Sequence, residues 1–249
     1  MTPSDPSEEI LGRSRRMSVG GRLAFRRRVQ PIEDGGPLPM VDGGDDPPPL
    51  RELVPARFRR VEIEVGSGKG AFLCAAAGTS RTTFFLGIEA AQSYASYAAA
   101  RLRDGGHDNA LLLVDNASLF LRDRVVPGSV DRLHVYFPDP WPKRRHRGRR
   151  FFTEQCPVVV HRALRLGGLL CVATDNPCYA GQIARVLGAF PGLRRDEDAE
   201  RELSALGPGH AFSPTNFERK YVAEGRTIRR FAFRTVAFAG DQHAGVGTP

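Results

Sequence analysis

A chain of 249 residues, 41% of them apolar, is long enough to bury a sizeable core, and its 36 Lys and Arg against 28 Asp and Glu give a net charge of +8. No apolar run approaches the ~20 residues of a membrane span, and the opening MTPSDPSEEI lacks the basic-then-apolar form of a signal peptide. The four cysteines (Cys74, Cys156, Cys171, Cys178) form no CxxC pair, so a disulfide framework and a metal site are not expected; free thiols in a reducing, cytoplasmic compartment are. The basic balance points to an anionic partner such as nucleic acid, or to nothing more than a solvated basic surface.

Residues 1–50 hold eight prolines and seven glycines without a period, which reads as a disordered extension. Within it, Gly21–Arg28 is a basic run: a solvated arm, or one that orders on RNA. The main domain is expected over 51–239. Arg60–Val65 reads as a strand, Gly66–Gly70 as a turn, Ala71–Ala77 as a helix and Thr83–Glu89 as a second strand. Ala90–Arg103 reads as a helix stopped by Gly105 and Gly106, Ala110–Val114 as a third strand, Asn116–Leu121 as a brief helix and Val130–Phe137 as a fourth strand. Thr153–Leu166 follows as a helix capped by Thr153 and stopped by Gly167 and Gly168. Leu169–Thr174 is a fifth strand, and Pro177–Leu187 a helix with proline in its first turn. Leu203–Pro214 reads as a loop, Phe217–Ala223 and Thr227–Phe238 as an antiparallel hairpin, and 240–249 as a flexible tail.

Strands alternating with helices, apolar at most positions, predict an α/β domain: a Rossmann-like, doubly wound, mostly parallel sheet with a C-terminal antiparallel hairpin. In such sheets ligands sit at the carboxyl ends of the strands. There Gly66 and Gly68 let a ligand approach the backbone, and Glu89 can accept both hydroxyls of a ribose. The loop has GxGxG spacing instead of GxGxxG, and Glu64 at its start would repel a pyrophosphate but attract a cation. S-adenosylmethionine, with a sulfonium and an ammonium, suits that electrostatics; a nicotinamide site or a plain tight turn stays open. Asn116 reads equally as an adenine partner or a helix cap.

The stretch Val135–Arg150, VYFPDPWPKRRHRGRR, is the centre of the chain. An apolar strand ends in Asp139 between two prolines; the only tryptophan, Trp141, follows, and then a dense basic run. Prolines stiffen their own and the preceding residue, so Asp139 is expected on rigid, extended backbone. Arg144, Arg145, Arg147, Arg149 and Arg150 are expected to bind phosphates.

Together the runs EVGSGKG (64–70), GIE (87–89), FPDPWPK (137–143), ATD (173–175) and TNFERK (215–220) resemble the bacterial tRNA (guanine-N7)-methyltransferases, over about residues 55–238. The first two are shared by many methyltransferases; the PDPWPK and TxFE runs are far more specific. The resemblance implies a class I fold that uses S-adenosylmethionine, with tRNA as substrate and guanosine 46 of the variable loop as target, in a monomer or homodimer. It places Glu64, Glu89, Asn116 and Asp139 in the cofactor site, Asp139 as the catalytic residue, and Lys143, Asp175, Thr215, Phe217 and Glu218 on the tRNA. The chain departs from the pattern at Asn116, where aspartate is usual, and in its alanine-rich 90–100 stretch.

Guanine N7 carries a lone pair and no proton, so methylation there needs no base, only positioning and a fixed carboxylate for the charge that develops on the ring. Asp175 and Glu218 suit guanine's N–H donors; Trp141 or Phe217 could stack on an extruded base or simply belong to the core. Two other readings remain: a methyltransferase of the same fold acting on an exocyclic amine, and a non-catalytic RNA-binding module.

Overall fold

The computed structural model describes residues 40–205 and 216–238, the side chains of 216–219 excepted. In chain order the elements are β1 (Val41–Asp42), α1 (Leu50–Leu53), β2 (Arg60–Val65), α2 (Ala71–Thr79), β3 (Thr83–Glu89), α3 (Gln92–Asp104), β4 (Ala110–Val114), α4 (Ala117–Asp123) and β5 (Val130–Tyr136). A 3₁₀ helix (Arg144–Arg149) follows, then α5 (Cys156–Ala163), β6 (Leu164–Thr174), α6 (Pro177–Gly188), β7 (Leu193–Arg195), α7 (Glu197–Ala205), α8 (Asn216–Ala223) and β8 (Arg229–Thr235).

The eight strands form one sheet in the order β1-β4-β3-β2-β5-β6-β8-β7. The first six are parallel to their neighbours, and β8 runs antiparallel to both β6 and β7. The central strands carry the near-continuous apolar runs that burial on both faces demands: β3 is buried at every position from Thr83 to Ile88. From β2 the chain builds outward through β3 and β4, then returns to lay β5 and β6 on the other side. The order therefore reverses between β2 and β5, and the crevice at their carboxyl ends is where doubly wound sheets hold ligands.

Four local expectations are corrected. Residues 217–223 are the helix α8, so β8 finds its antiparallel partners in β6 and β7 instead of a hairpin. Thr153 does not cap a helix; α5 starts at Cys156 after a turn in which Cys156 N–H donates to Thr153 O (3.1 Å). That helix ends at Ala163, and β6 begins at Leu164, running through Gly167 with a register shift against β5. Residues 41–50, assigned above to the extension, belong to the sheet domain: Val41 and Asp42 pair with Leu113 and Val114, and Leu50 is buried. The Leu203–Pro214 loop lies partly on α7 and otherwise outside the described residues, as do the 240–249 tail and the arm Gly21–Arg28.

All four cysteines are free, with Cys156 and Cys171 buried, Cys74 half-buried and Cys178 exposed. Burial pushes the Cys171 thiol up to about 12, leaving it un-ionised and inert. Among the described residues no helix is long and apolar enough to cross a membrane, and no cluster of metal-ligating side chains occurs.

Candidate active site

The loop after β2 turns through Gly66, Gly68 and Gly70 at φ of 75°, 52° and 68°, a left-handed sequence that only glycine adopts without strain. Gly70 also passes so close to α3 that a Cβ there would lie 2.7 Å from Ala98 Cβ. The loop is tied to the neighbouring strand by Glu89, whose carboxylate accepts Gly68 N–H (2.9 Å) and Ala91 N–H (2.8 Å). Glu89 thus braces the turn as well as facing the crevice, a role its position at a strand end did not reveal.

Glu64, on β2 beneath this loop, is 4% exposed, and its Oε2 accepts no hydrogen bond from any described residue. Burial drives its pKa well above the usual carboxylate range; a hydrogen bond with Ser67 opposes the rise and the charge of Glu89 adds to it. A buried carboxylate with an orphaned oxygen is costly unless a cationic donor completes it, and the ammonium of an amino-acid-like ligand is such a donor. The same face of β2 carries Glu62, locked to His134 Nε2 (2.8 Å), whose Nδ1 meets the Tyr136 hydroxyl (2.9 Å). Burial alone would raise the Glu62 pKa, but the His134 bond and the charges of His134 and Arg132 leave it lowered. This satisfied network, absent from the sequence reading, leaves Glu64 as the β2 carboxylate with an unpartnered oxygen; Asp115 Oδ2, past the end of β4, is the other buried carboxylate oxygen without a partner among the described residues.

At the end of β4, Asn116 caps α4: its Oδ1 accepts Ser118 N–H (3.0 Å) and Leu119 N–H (3.3 Å). The cap reading therefore holds; it uses the amide oxygen, and the residue itself is exposed. Glu64, Gly66, Gly68, Glu89 and Asn116 line the carboxyl ends of three adjacent strands, β2, β3 and β4.

Across the switch point, β5 ends in the Asp139 loop. Its backbone is not simply extended. Phe137 (φ 52°) and Trp141 (φ 39°) are both left-handed, which is an outlier for bulky side chains. Each precedes a proline, whose ring disfavours the right-handed alternative. Strain of this kind persists where the surroundings over-determine it, typically at functional sites. Phe137 N–H is held by Ala173 O on β6 (2.7 Å), and the exposed Asp139 is presented between the two strained residues.

The other expected substrate residues divide. Asp175, just past β6, accepts Arg226 Nη1 (2.8 Å); that guanidinium lies 4.5 Å over the Tyr221 ring, and Tyr221 packs on Phe137 with ring centroids 5.5 Å apart. Burial raises the Tyr221 pKa, and the charges of Asp175, Glu224 and Asp139 add to the rise while that of Arg226 opposes it. The Tyr221–Phe137 contact brings α8 against the Asp139 loop. Phe217 and Glu218 lie in the first turn of α8, their side chains not described, and Thr215 is outside the described residues. Tyr221 and Arg226 were missed by sequence reasoning; the signal available was their closeness to the TNFERK run. Lys143 is exposed at the start of the 3₁₀ helix.

Of the basic run, Arg144, Arg145, Arg147 and Arg149 are exposed, but Arg150 is buried, and its expected phosphate contact is overturned. Its guanidinium donates to Pro140 O (2.6 Å), Trp141 O (3.3 Å) and Gln182 Oε1, and stacks on Tyr179 at 4.8 Å. Trp141 is half-buried, edge-on to His146 (5.8 Å) with Arg149 5.1 Å over its ring, so it packs within the loop.

A doubly wound sheet with a reversed antiparallel strand at one edge, a glycine loop over a buried acid, and an acid closing the next strand define a class I methyltransferase fold. The family model described as "Putative methyltransferase" matches residues 59–231. A tRNA (guanine-N(7)-)-methyltransferase from Agrobacterium fabrum is 31% identical over 234 residues, 92% of this chain and 96% of its own. One from Rhizobium johnstonii is 29% identical over the same shares. The chain belongs to the tRNA (guanine-N(7)-)-methyltransferase family. Among solved structures, the 16S rRNA methyltransferase KamB shares the fold at a TM-score of 0.52 and 18% identity, over 80% of this chain and 99% of that one.

Proposed function

We propose that the protein transfers the methyl group of S-adenosylmethionine to N7 of a guanosine in tRNA, at position 46 of the variable loop, with Asp139 as the catalytic carboxylate. The observation that carries the reading is Asp139 on a strained loop at the switch point, beside a cofactor loop floored by Glu64. S-adenosylmethionine supplies, when bound, an electrophilic methyl group on a cationic sulfur. Glu64 would take its ammonium, Gly66 and Gly68 would pack against it through bare backbone, Glu89 would accept from the ribose, and the Asn116 amide would meet the adenine edge. Asp139 would hold the target guanine and balance the positive charge its ring acquires. Lys143 and the exposed arginines beyond it would hold the phosphates around it. Asp175, Thr215, Phe217 and Glu218 would complete the substrate side.

The test is methyl transfer from labelled cofactor to unmodified tRNA transcripts, with the product digested to nucleosides. The expected product is 7-methylguanosine, lost when the variable-loop guanosine is replaced. A product methylated on an exocyclic amine would overturn the N7 assignment, and absence of transfer to any tRNA by cofactor-bound protein would overturn the substrate.

A further inference from the structure

Arg150 alone of the residues from Lys143 to Arg150 is buried, at 9% exposure. Its bonds run to the two carbonyls that flank the Trp141 Cα, those of Pro140 and Trp141, and to α6 through Gln182. Gln182 is fixed in turn by donating to Phe152 O (2.7 Å), and Tyr179, beneath the guanidinium, accepts Phe152 N–H (3.2 Å). The residue thus closes the excursion from Asp139 through the 3₁₀ helix back onto its own start and anchors it to α6.

We propose that Arg150 is a positioning residue that sets the Asp139 loop from the inside and fixes the exposed arginines of the 3₁₀ helix relative to that carboxylate. A left-handed Trp141 is not stable on its own terms; two carbonyl contacts from one rigid fork, on the residue itself and on the one before, hold it. Only a planar guanidinium reaches both carbonyls, the Gln182 oxygen and the face of Tyr179 together. Lysine keeps the charge but is a single point, enough for a phosphate and not for this fork.

The only tryptophan of the chain sits in the loop, so its emission reports loop geometry directly. Arg150→Lys is expected to shift Trp141 emission to the red, to increase its quenching by acrylamide, and to lower kcat roughly tenfold. Affinity for S-adenosylmethionine should stay within about twofold, because its loop makes none of these contacts. Gln182→Leu, which removes the acceptor for Arg150 and the donor to Phe152 O and touches no charge, is expected to change emission and kcat in the same direction, and it decides the matter if Arg150→Lys fails to fold. Wild-type emission and kcat in both variants would overturn the proposal, as would full rescue by lysine alone, the signature of a phosphate contact. The kinetic arm rests on Asp139 being catalytic. If Asp139→Ala retains turnover that reading falls, while the emission arm still tests whether Arg150 holds the loop.

Discussion

A carboxylate sealed under a loop with one oxygen unpartnered should reveal itself in how stability depends on pH. Glu64 has its folded pKa raised by burial, above the ordinary 4.5 expected once the chain unfolds. Between those two values the native state holds more protons than the unfolded state, so this group makes the protein less stable as pH rises. Below the unfolded value it is protonated in both states and contributes nothing. Glu64→Gln, neutral throughout, should therefore match wild type below pH 4.5 and gain on it as pH rises above that value, in thermal melts of the cofactor-free protein. A difference independent of pH would show that Glu64 is not held protonated. Cofactor affinity should run the other way: wild type binds more tightly as pH rises through the folded value, because the ionised acid is the one that meets a cation, and the Gln variant binds weakly with that dependence gone.

Asp139 differs from Glu64 in being exposed, so its removal should cost chemistry and little stability. Asp139→Ala should lower turnover by roughly 10²–10³-fold, the usual scale for deleting one preorganised electrostatic group. tRNA affinity should stay near wild type in a filter-binding titration; turnover equal to wild type would remove its catalytic role.

Among the elements, the 3₁₀ helix Arg144–Arg149 presents Arg144, Arg145 and Arg147 to solvent. Reversing all three to glutamate should weaken tRNA binding and flatten the plot of log affinity against log salt by about 3, one per lost phosphate contact. An unchanged slope would place the RNA footprint elsewhere. The basic run itself was plain in the sequence; that Arg150 turns inward was not, because burial of one arginine depends on carbonyls and an α6 glutamine that come from other parts of the fold. The error over 217–223 is instructive for a different reason. Phe217, Tyr221 and Val222 suggest a strand by β-propensity, yet Phe217 and Tyr221 are four apart, as are Lys220 and Glu224, which form an ion pair at 3.8 Å. That is helical spacing, and tertiary contact between Tyr221 and Phe137 favours it over propensity. At 164–174 the glycines that read as a helix stop lie inside the strand, since β6 needs its early residues to reach Val130 on β5.

At the scale of the whole molecule, the parallel core and the glycine turn beside its switch point were legible, because buried strands and glycine turns leave strong local patterns. The N-terminal boundary was not. Proline and glycine dominate 35–49 and mask short apolar anchors that only the assembled sheet explains: α1 closes on the core through Leu50 and Leu53, and Leu50 N–H donates to Arg124 O (2.9 Å) just after α4. If residues 40–53 are integral to the fold, their side chains must carry core-sized stability. Leu53 is 1% exposed, so Leu53→Ala should destabilise by about 2–5 kcal/mol, a drop in melting temperature of roughly 5–15 °C for a domain this size. Leu166, the same residue type on β6 but 67% exposed, supplies the control: Leu166→Ala should stay within about 0.5 kcal/mol of wild type. Calorimetric melts of the two variants side by side check the contrast. Equal, small effects at both positions would move the domain boundary beyond Leu53; a large effect at Leu53 alone makes 40–53 a working part of the sheet's edge.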